Sequence, residues 1–249
     1  MAGGASYGRG MDLGLSAVVA LVVGGGGLIG SAVGRALHAE GATVVLGGRT
    51  QQTLSAAAEA IGADVQTVVL DSGDDDSVRR AVEGVVARHG SVGVLVNTAA
   101  PSARTLDPAR NSDPEQVTQA FEAKAMGYLR CANAVLPGMR EAGFGRVINI
   151  SGQNAFLTAS VTGAVRNGAV AILSKALADE CAGSGVTVNV VHPGIVRPDA
   201  ATEVEAGAPG ESTPAQVAAV VVFLASRAAG AVSGESVAVG HRVRGVSAY

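Results

Sequence analysis

Short unbroken apolar runs alternate along this chain with longer segments in which apolar residues recur every three or four positions, the pattern of strands alternating with helices. Residues 17–23 form the first run, β-branched and continuous, as a strand buried on both faces should be. From Ser31 to Glu40, Ala32, Val33, Ala36 and Leu37 then fall at helical spacing. The cycle repeats with a strand over 43–46, a helix that Thr50 can cap, a strand over 65–70 and a helix ending near His89. A fourth strand is predicted over 92–96, and Asp113-Pro114-Glu115 opens a long helix running past Lys124 and Tyr128 toward Pro137. Strand five spans 147–150. After a loop over 152–162, residues 163–182 predict a helix with Val165, Ala169, Ile172, Leu173, Ala176 and Leu177 as its apolar stripe. A sixth strand covers 186–191. The stretch over 195–212, rich in Pro, Ala, Glu and Gly, reads as a mobile substrate flap, and Thr213-Pro214-Ala215-Gln216 as a capping box opening a helix to Ser226. Residues 236–239 complete a seventh strand. This alternation predicts an α/β chain: one domain over 17–249, a doubly wound seven-stranded parallel sheet with helices on both faces. Its ligands would gather beyond the carboxyl ends of the strands. Residues 1–16, aperiodic and rich in Gly, Ala and Ser, read as a disordered extension.

Composition narrows the function classes. A net charge of −3 gives no electrostatic footprint for nucleic acid, and the absence of Trp argues against a base-stacking surface. No apolar run reaches the length of a membrane span. Cys131 and Cys181 make neither a C-x-x-C pair nor a disulfide framework, which fits a reducing, cytoplasmic setting. Asp74-Asp75-Asp76 stands at a helix start, where the helix dipole favours carboxylates, so no metal site is called for.

The chemistry lies at the strand ends. Gly25, Gly27 and Gly30 fit G-x-G-x-x-G between strand and helix, where glycine permits a tight turn and lets pyrophosphate approach backbone N–H groups. A flexible linker would lack the flanking strand and helix. A secretory signal would need more than Arg9 before the apolar run, and a small-residue cleavage site after it. Other strands end in Gly47-Gly48-Arg49, Asp71, Asn97-Thr98-Ala99, Ser151 and His192-Pro193-Gly194.

Taken together, these ends resemble the short-chain dehydrogenase/reductase family in its compact one-domain form, a Rossmann fold, over roughly residues 17–240. Val22-Val-Gly-Gly-Gly-Gly-Leu-Ile-Gly30 resembles its glycine signature, with Gly24-x-x-Gly27-x-x-Gly30 spacing and Leu28 where the middle glycine would stand. Leu70-Asp71, Leu95-Val-Asn-Thr-Ala99, Val147-Ile-Asn-Ile-Ser151 and Val188-Asn-Val-Val-His-Pro-Gly194 match its later motifs. The resemblance implies cofactor contacts at Gly24, Gly27, Leu28, Ile29, Gly30, Arg49, Asp71, Ser72, Asn97, Ala99, Ile150, Asn167, Pro193 and Gly194. NADP(H) is expected over NAD(H), because no carboxylate closes strand two and Arg49 offers a guanidinium to a 2′-phosphate.

The family's reaction is hydride transfer between a nicotinamide and a small-molecule carbonyl or alcohol, and its Tyr-x-x-x-Lys pair, Ser and Asn carry the proton. Here the aligned positions hold Gly163 for Tyr, Asn167 for Lys, Gly152 for Ser and Lys124 for Asn. The remaining candidates for acid/base work are Ser151, Lys124 and His192, with Gln153 and Asn154 near enough in sequence to touch a substrate. Three readings stay open: an NADP-dependent oxidoreductase with a rebuilt proton donor, a non-redox cyclase, dehydratase or isomerase on the same scaffold, and a catalytically silent subunit beside an active relative. The resemblance also implies a homodimer or homotetramer through the two long helices.

Overall fold

In the computed structural model, which describes residues 12–101 and 105–246, the first apolar run becomes β1 (Val19–Val23), all of it buried. Its alternate side chains divide between two apolar clusters, Ala20 and Val22 on one face, Val19, Leu21 and Val23 on the other. The chain continues through α1 (Leu28–Ala39), β2 (Thr43–Gly48), α2 (Gln51–Glu59), β3 (Gln66–Val69), α3 (Asp75–His89) and β4 (Val94–Asn97). Next come α4 (Pro114–Phe121), a π turn (Glu122–Met126), α5 (Gly127–Glu141), β5 (Gly145–Ile150), α6 (Val161–Glu180) and β6 (Val186–Pro193). Two short strands, β7 (Ile195–Val196) and β8 (Glu211–Ser212), precede α7 (Pro214–Ala225) and β9 (Ser236–Val239).

Seven strands form one parallel sheet in the order β3-β2-β1-β4-β5-β6-β9, with α1 packed on α7 at one face and α3 on α5 at the other. The order reverses between β1 and β4, and the crevice beyond the carboxyl ends of the strands opens at that switch point. This is the doubly wound Rossmann sheet that the alternation predicted. Among the described residues no helix is long and apolar enough to cross a membrane.

Several boundaries differ from expectation. The extension is already folded at its end: Leu15 is buried, Leu13 packs on the same core, and Arg227 N donates to Leu13 O. Residues 1–11 lie outside the described residues. The helix through Pro137 does not stop there but runs on to Glu141, where burial of Leu136 and Met139 outweighs one lost backbone bond. The flap is tied at its base: β7 pairs with β8, and Gly210 N donates to His241 O. Asp74 caps α3 by accepting from Asp76 N and Ser77 N, and Thr213 and Gln216 make both halves of the capping box, whereas Thr50 makes no side-chain cap.

The largest correction concerns α6. Ser160 caps it by accepting from Gly163 N, so the helix begins at Val161 and Gly163 lies inside its first turn. Its apolar residues are spread nearly all round, so periodicity does not fix which face turns inward. Arg166, Asn167 and Ser174 are buried, while Val165 and Ile172 of the predicted stripe are exposed, Ile172 at 75%.

Candidate active site

The glycine turn is dictated by contact. Gly24 has φ +86°, and a Cβ on it would stand 2.5 Å from Thr98 Oγ1; one on Gly30 would stand 2.2 Å from Gly24 O. Gly27 is the N-cap of α1 and supplies no side chain to it. Ser31 N is the first amide of the helix to find a carbonyl, Gly27 O, which leaves the N–H groups of Leu28, Ile29 and Gly30 ahead of it without backbone acceptors. The glycine turn ahead of them borders a cleft of about 630 Å³ whose walls include Gly24, Gly27, Arg49, Asp71, Ser72, Thr98 and Ala99. A helix start without a side-chain cap under a glycine cradle, with the Arg49 guanidinium on the cleft wall and without an ion-pair partner among the described residues, fits the phosphates of a dinucleotide.

Not every predicted contact stands on that wall. Asn97 is fully buried, its Nδ2 donating to Asn149 Oδ1 at 2.8 Å, and its Oδ1 has no partner. Thr98, the next residue, lines the cleft instead, its Oγ1 donating to Val23 O. Alternation along β4 could have told the two apart, since neighbouring residues of a strand point to opposite faces. The Leu28 side chain is largely exposed, so that residue can meet a phosphate only through its backbone. Ile150 and Pro193 sit at the buried ends of β5 and β6 and Asn167 is buried in the second turn of α6, none of them on the cleft walls, and Gly194 abuts Gly210 O of the flap base.

Beyond β5 the structure joins three of the predicted site residues. Lys124 lies in the π turn between α4 and α5, a wider turn often found at functional sites, and is only 4% exposed. Its Nζ donates to Asn167 Oδ1 at 2.7 Å and to Ser151 O at 3.0 Å. Ser151 Oγ in turn donates to Asn167 O at 3.0 Å. Asn167 completes the cluster by donating Nδ2 to Gly163 O. A Cβ on Gly152 would come into ordinary contact with the Asn167 carboxamide, so residue 152 also faces this cluster. The lysine and asparagine that the family resemblance exchanges between two helices are therefore hydrogen-bonded partners. Burial, with the neighbouring Arg166 charge, pushes the Lys124 ammonium down to about 7.

Other candidates are withdrawn from the crevice. His192 is fully buried: its Nδ1 faces Gly152 O at 3.1 Å and its Nε2 faces Ser236 Oγ at 3.2 Å. A carbonyl can only accept, so Nδ1 carries the proton and Nε2 accepts from Ser236. Burial pushes the imidazole down to about 4, and Phe156 packs against the ring. Neither nitrogen is left for a substrate, which corrects the expectation of an acid/base His192. Gln153, expected near a substrate, is instead a buried clasp that donates to His241 O and accepts from Val243 N. Tyr128 buries its hydroxyl against Ile150 O, and burial drives its pKa upward. Tyr7 and Tyr249 lie outside the described residues. Arg166, which the sequence did not single out, is buried beside this cluster.

Comparison with known proteins extends these findings. The sequence profile of short chain dehydrogenase matches residues 18–209. BbsC, a subunit of a hydroxy(phenyl)methyl-succinyl-CoA dehydrogenase from Thauera aromatica, is 35% identical over 93% of this chain and 95% of its own. The 3-oxoacyl-acyl-carrier-protein reductase FabG of Escherichia coli is 30% identical over 88% of this chain and 93% of its own. A short-chain type dehydrogenase/reductase from Mycobacterium ulcerans superposes with a TM-score of 0.79 at 27% identity, covering 94% of this chain and 93% of its own.

Proposed function

This chain belongs to the short-chain dehydrogenase family, and on that premise we propose that it is an NADP(H)-binding oxidoreductase subunit with little turnover of its own. It would act within an assembly that reduces a small-molecule carbonyl or oxidises the matching alcohol. The observation that carries this reading is the contrast between the two ends of the crevice. At one end the first turn of α1 offers uncapped N–H groups beside Gly27. At the other, Ser151, His192 and Tyr128 each commit their polar hydrogen to an internal acceptor.

When bound, a nicotinamide nucleotide supplies or takes up the hydride. The residues of this chain that would hold it are Leu28, Ile29 and Gly30, through their N–H groups, for the pyrophosphate, and Asp71 and Ser72 for the adenine side. Arg49 would pair with a 2′-phosphate, since β2 ends in Gly47 and Gly48 rather than a carboxylate. A hydrogen bond to a charged group contributes about 1.5–3 kcal/mol, which favours NADPH over NADH by roughly tenfold to a hundredfold. Gly163, in the aligned position of the proton-donating tyrosine, has no group to offer, and a positioned general acid contributes about 10²–10⁴-fold.

An assembly is supported by α6. Val161, Val165 and Ile172 are exposed on one side of it, and Gly168 beside them leaves open space for a close-packed neighbour. BbsC, named as a subunit of its dehydrogenase, supports a partner chain as that neighbour.

A second reading, a self-sufficient reductase, is favoured by the Lys124–Asn167 contact, because a buried amine beside Ser151 could pass a proton in place of the tyrosine. Calorimetry with NADPH and NADH, followed by NADPH oxidation over ketones and 3-oxoacyl thioesters, tests both. Tighter NADPH binding with little turnover is the expected result. Failure to bind either nucleotide overturns the first reading, and fast turnover by the chain alone replaces it with the second.

A further inference from the structure

A second cleft, of about 320 Å³, lies between residues 106–116 and the first turns of α6. Arg166 stands on its wall, only 6% exposed. Its Nη1 donates to Pro101 O at 3.2 Å, and its Nε is buried without an acceptor among the described residues. No carboxylate among the described residues pairs with it, and its charge reaches the buried Lys124 ammonium. A buried cation without a counter-charge is costly, and interior charges are as a rule paired. The Asp107 carboxylate, also on the wall, accepts from Ala109 N and caps its own short turn.

The cleft is open because residue 163 is glycine. A Cβ there would stand 3.0 Å from Asn154 Nδ2 and from Ser160 Oγ, so a larger side chain would occupy this space. The Asn154 carboxamide lines the same wall.

We infer that this cleft binds the oxyanion group, carboxylate or phosphate, of a small acidic ligand, with the Arg166 guanidinium as its counter-charge and Asn154 as a neutral donor. A planar guanidinium suits both groups, since each presents paired oxygens to its fork. The site is separate from the nucleotide cleft and does not depend on that assignment.

The test is calorimetry and thermal denaturation of the full chain with succinate and with inorganic phosphate, against sodium chloride at matched ionic strength. Millimolar binding of at least one probe is expected, with a raised melting temperature. Succinate alone identifies a carboxylate site, and phosphate alone a phosphate site. Arg166→Gln should weaken the bound probe by about tenfold or more. Should that variant fail to fold, Asn154→Asp, nearly isosteric and on the cleft wall, should weaken it by setting a carboxylate there. Binding of neither probe, or undiminished binding in the folded variant, overturns the inference. NADPH affinity measured on the same samples separates this failure from failure of the nucleotide site.

Discussion

The Lys124 ammonium offers the sharpest test of the site's electrostatics. Burial first, then the Arg166 charge, moves it from the ordinary 10.5 to about 7. That displacement corresponds to roughly 5 kcal/mol of folding free energy between the two protonation states. The sign follows from proton counting. Below pH 7 both folded and unfolded chains hold the proton, and the cost of the buried charge is fully present. Between about 7 and 10.5 only the unfolded chain holds it, so stability rises with pH, by at most about 1.4 kcal/mol per pH unit. From pH 7.5 to 9.5 the gain is about 2–3 kcal/mol, or several degrees in melting temperature for a chain of this size. The neutral amine keeps both N–H donations, to Asn167 and Ser151, so no hydrogen bond is lost on deprotonation. The chain has two lysines, Lys124 and Lys175, and isotope-labelled lysine therefore gives two side-chain signals, the second from the exposed Lys175 paired with Asp179. A Lys124 signal titrating near 7, moving upward in Arg166→Gln, is expected. Lys124→Met should lose the rise of stability with pH. A Lys124 signal that titrates near 10.5, or a Met variant with the same pH slope, refutes the reasoning.

Three further outcomes are expected. Gly30→Val should unfold the glycine turn or abolish nucleotide binding, because its Cβ would fall 2.2 Å from Gly24 O; a folded variant with unchanged calorimetric affinity would contradict the turn's role. Gln153→Leu should cost about 1–3 kcal/mol in urea unfolding and admit protease near residue 243, since His241 O and Val243 N lose their partner. Restoring a reductase should require Gly163→Tyr with Asn167→Lys and Lys124→Asn together: Asn167→Lys alone sets a third cation beside Lys124 and Arg166, and the tyrosine must first displace Asn154 and Ser160. NADPH oxidation faster in the triple variant than in Gly163→Tyr/Asn167→Lys would bear this out, and equal rates would not.

What the sequence determined by itself is local in origin. Strand burial on both faces writes continuous apolar runs, and a glycine turn without room for a Cβ writes its spacing, so the sheet, its order of elements and the glycine turn were legible in 17–30 and in the strand ends. Capping by Asp74 and by Thr213 with Gln216 was legible for the same reason, since the partners lie within one turn. Only the tertiary structure decided the rest. The π turn and the rotation of α6 bring Lys124 to Asn167, 43 residues away in the chain, and bury Arg166 and Asn167 while exposing Val165 and Ile172. A helix apolar nearly all round has no preferred face until it packs, and the sheet and α4 fix that face through long-range contacts. His192 read as a polar candidate at a strand end and Gln153 as one in a loop, yet the returning segment at Ser236, His241 and Val243 supplies partners to both, and that closure is a property of the folded chain.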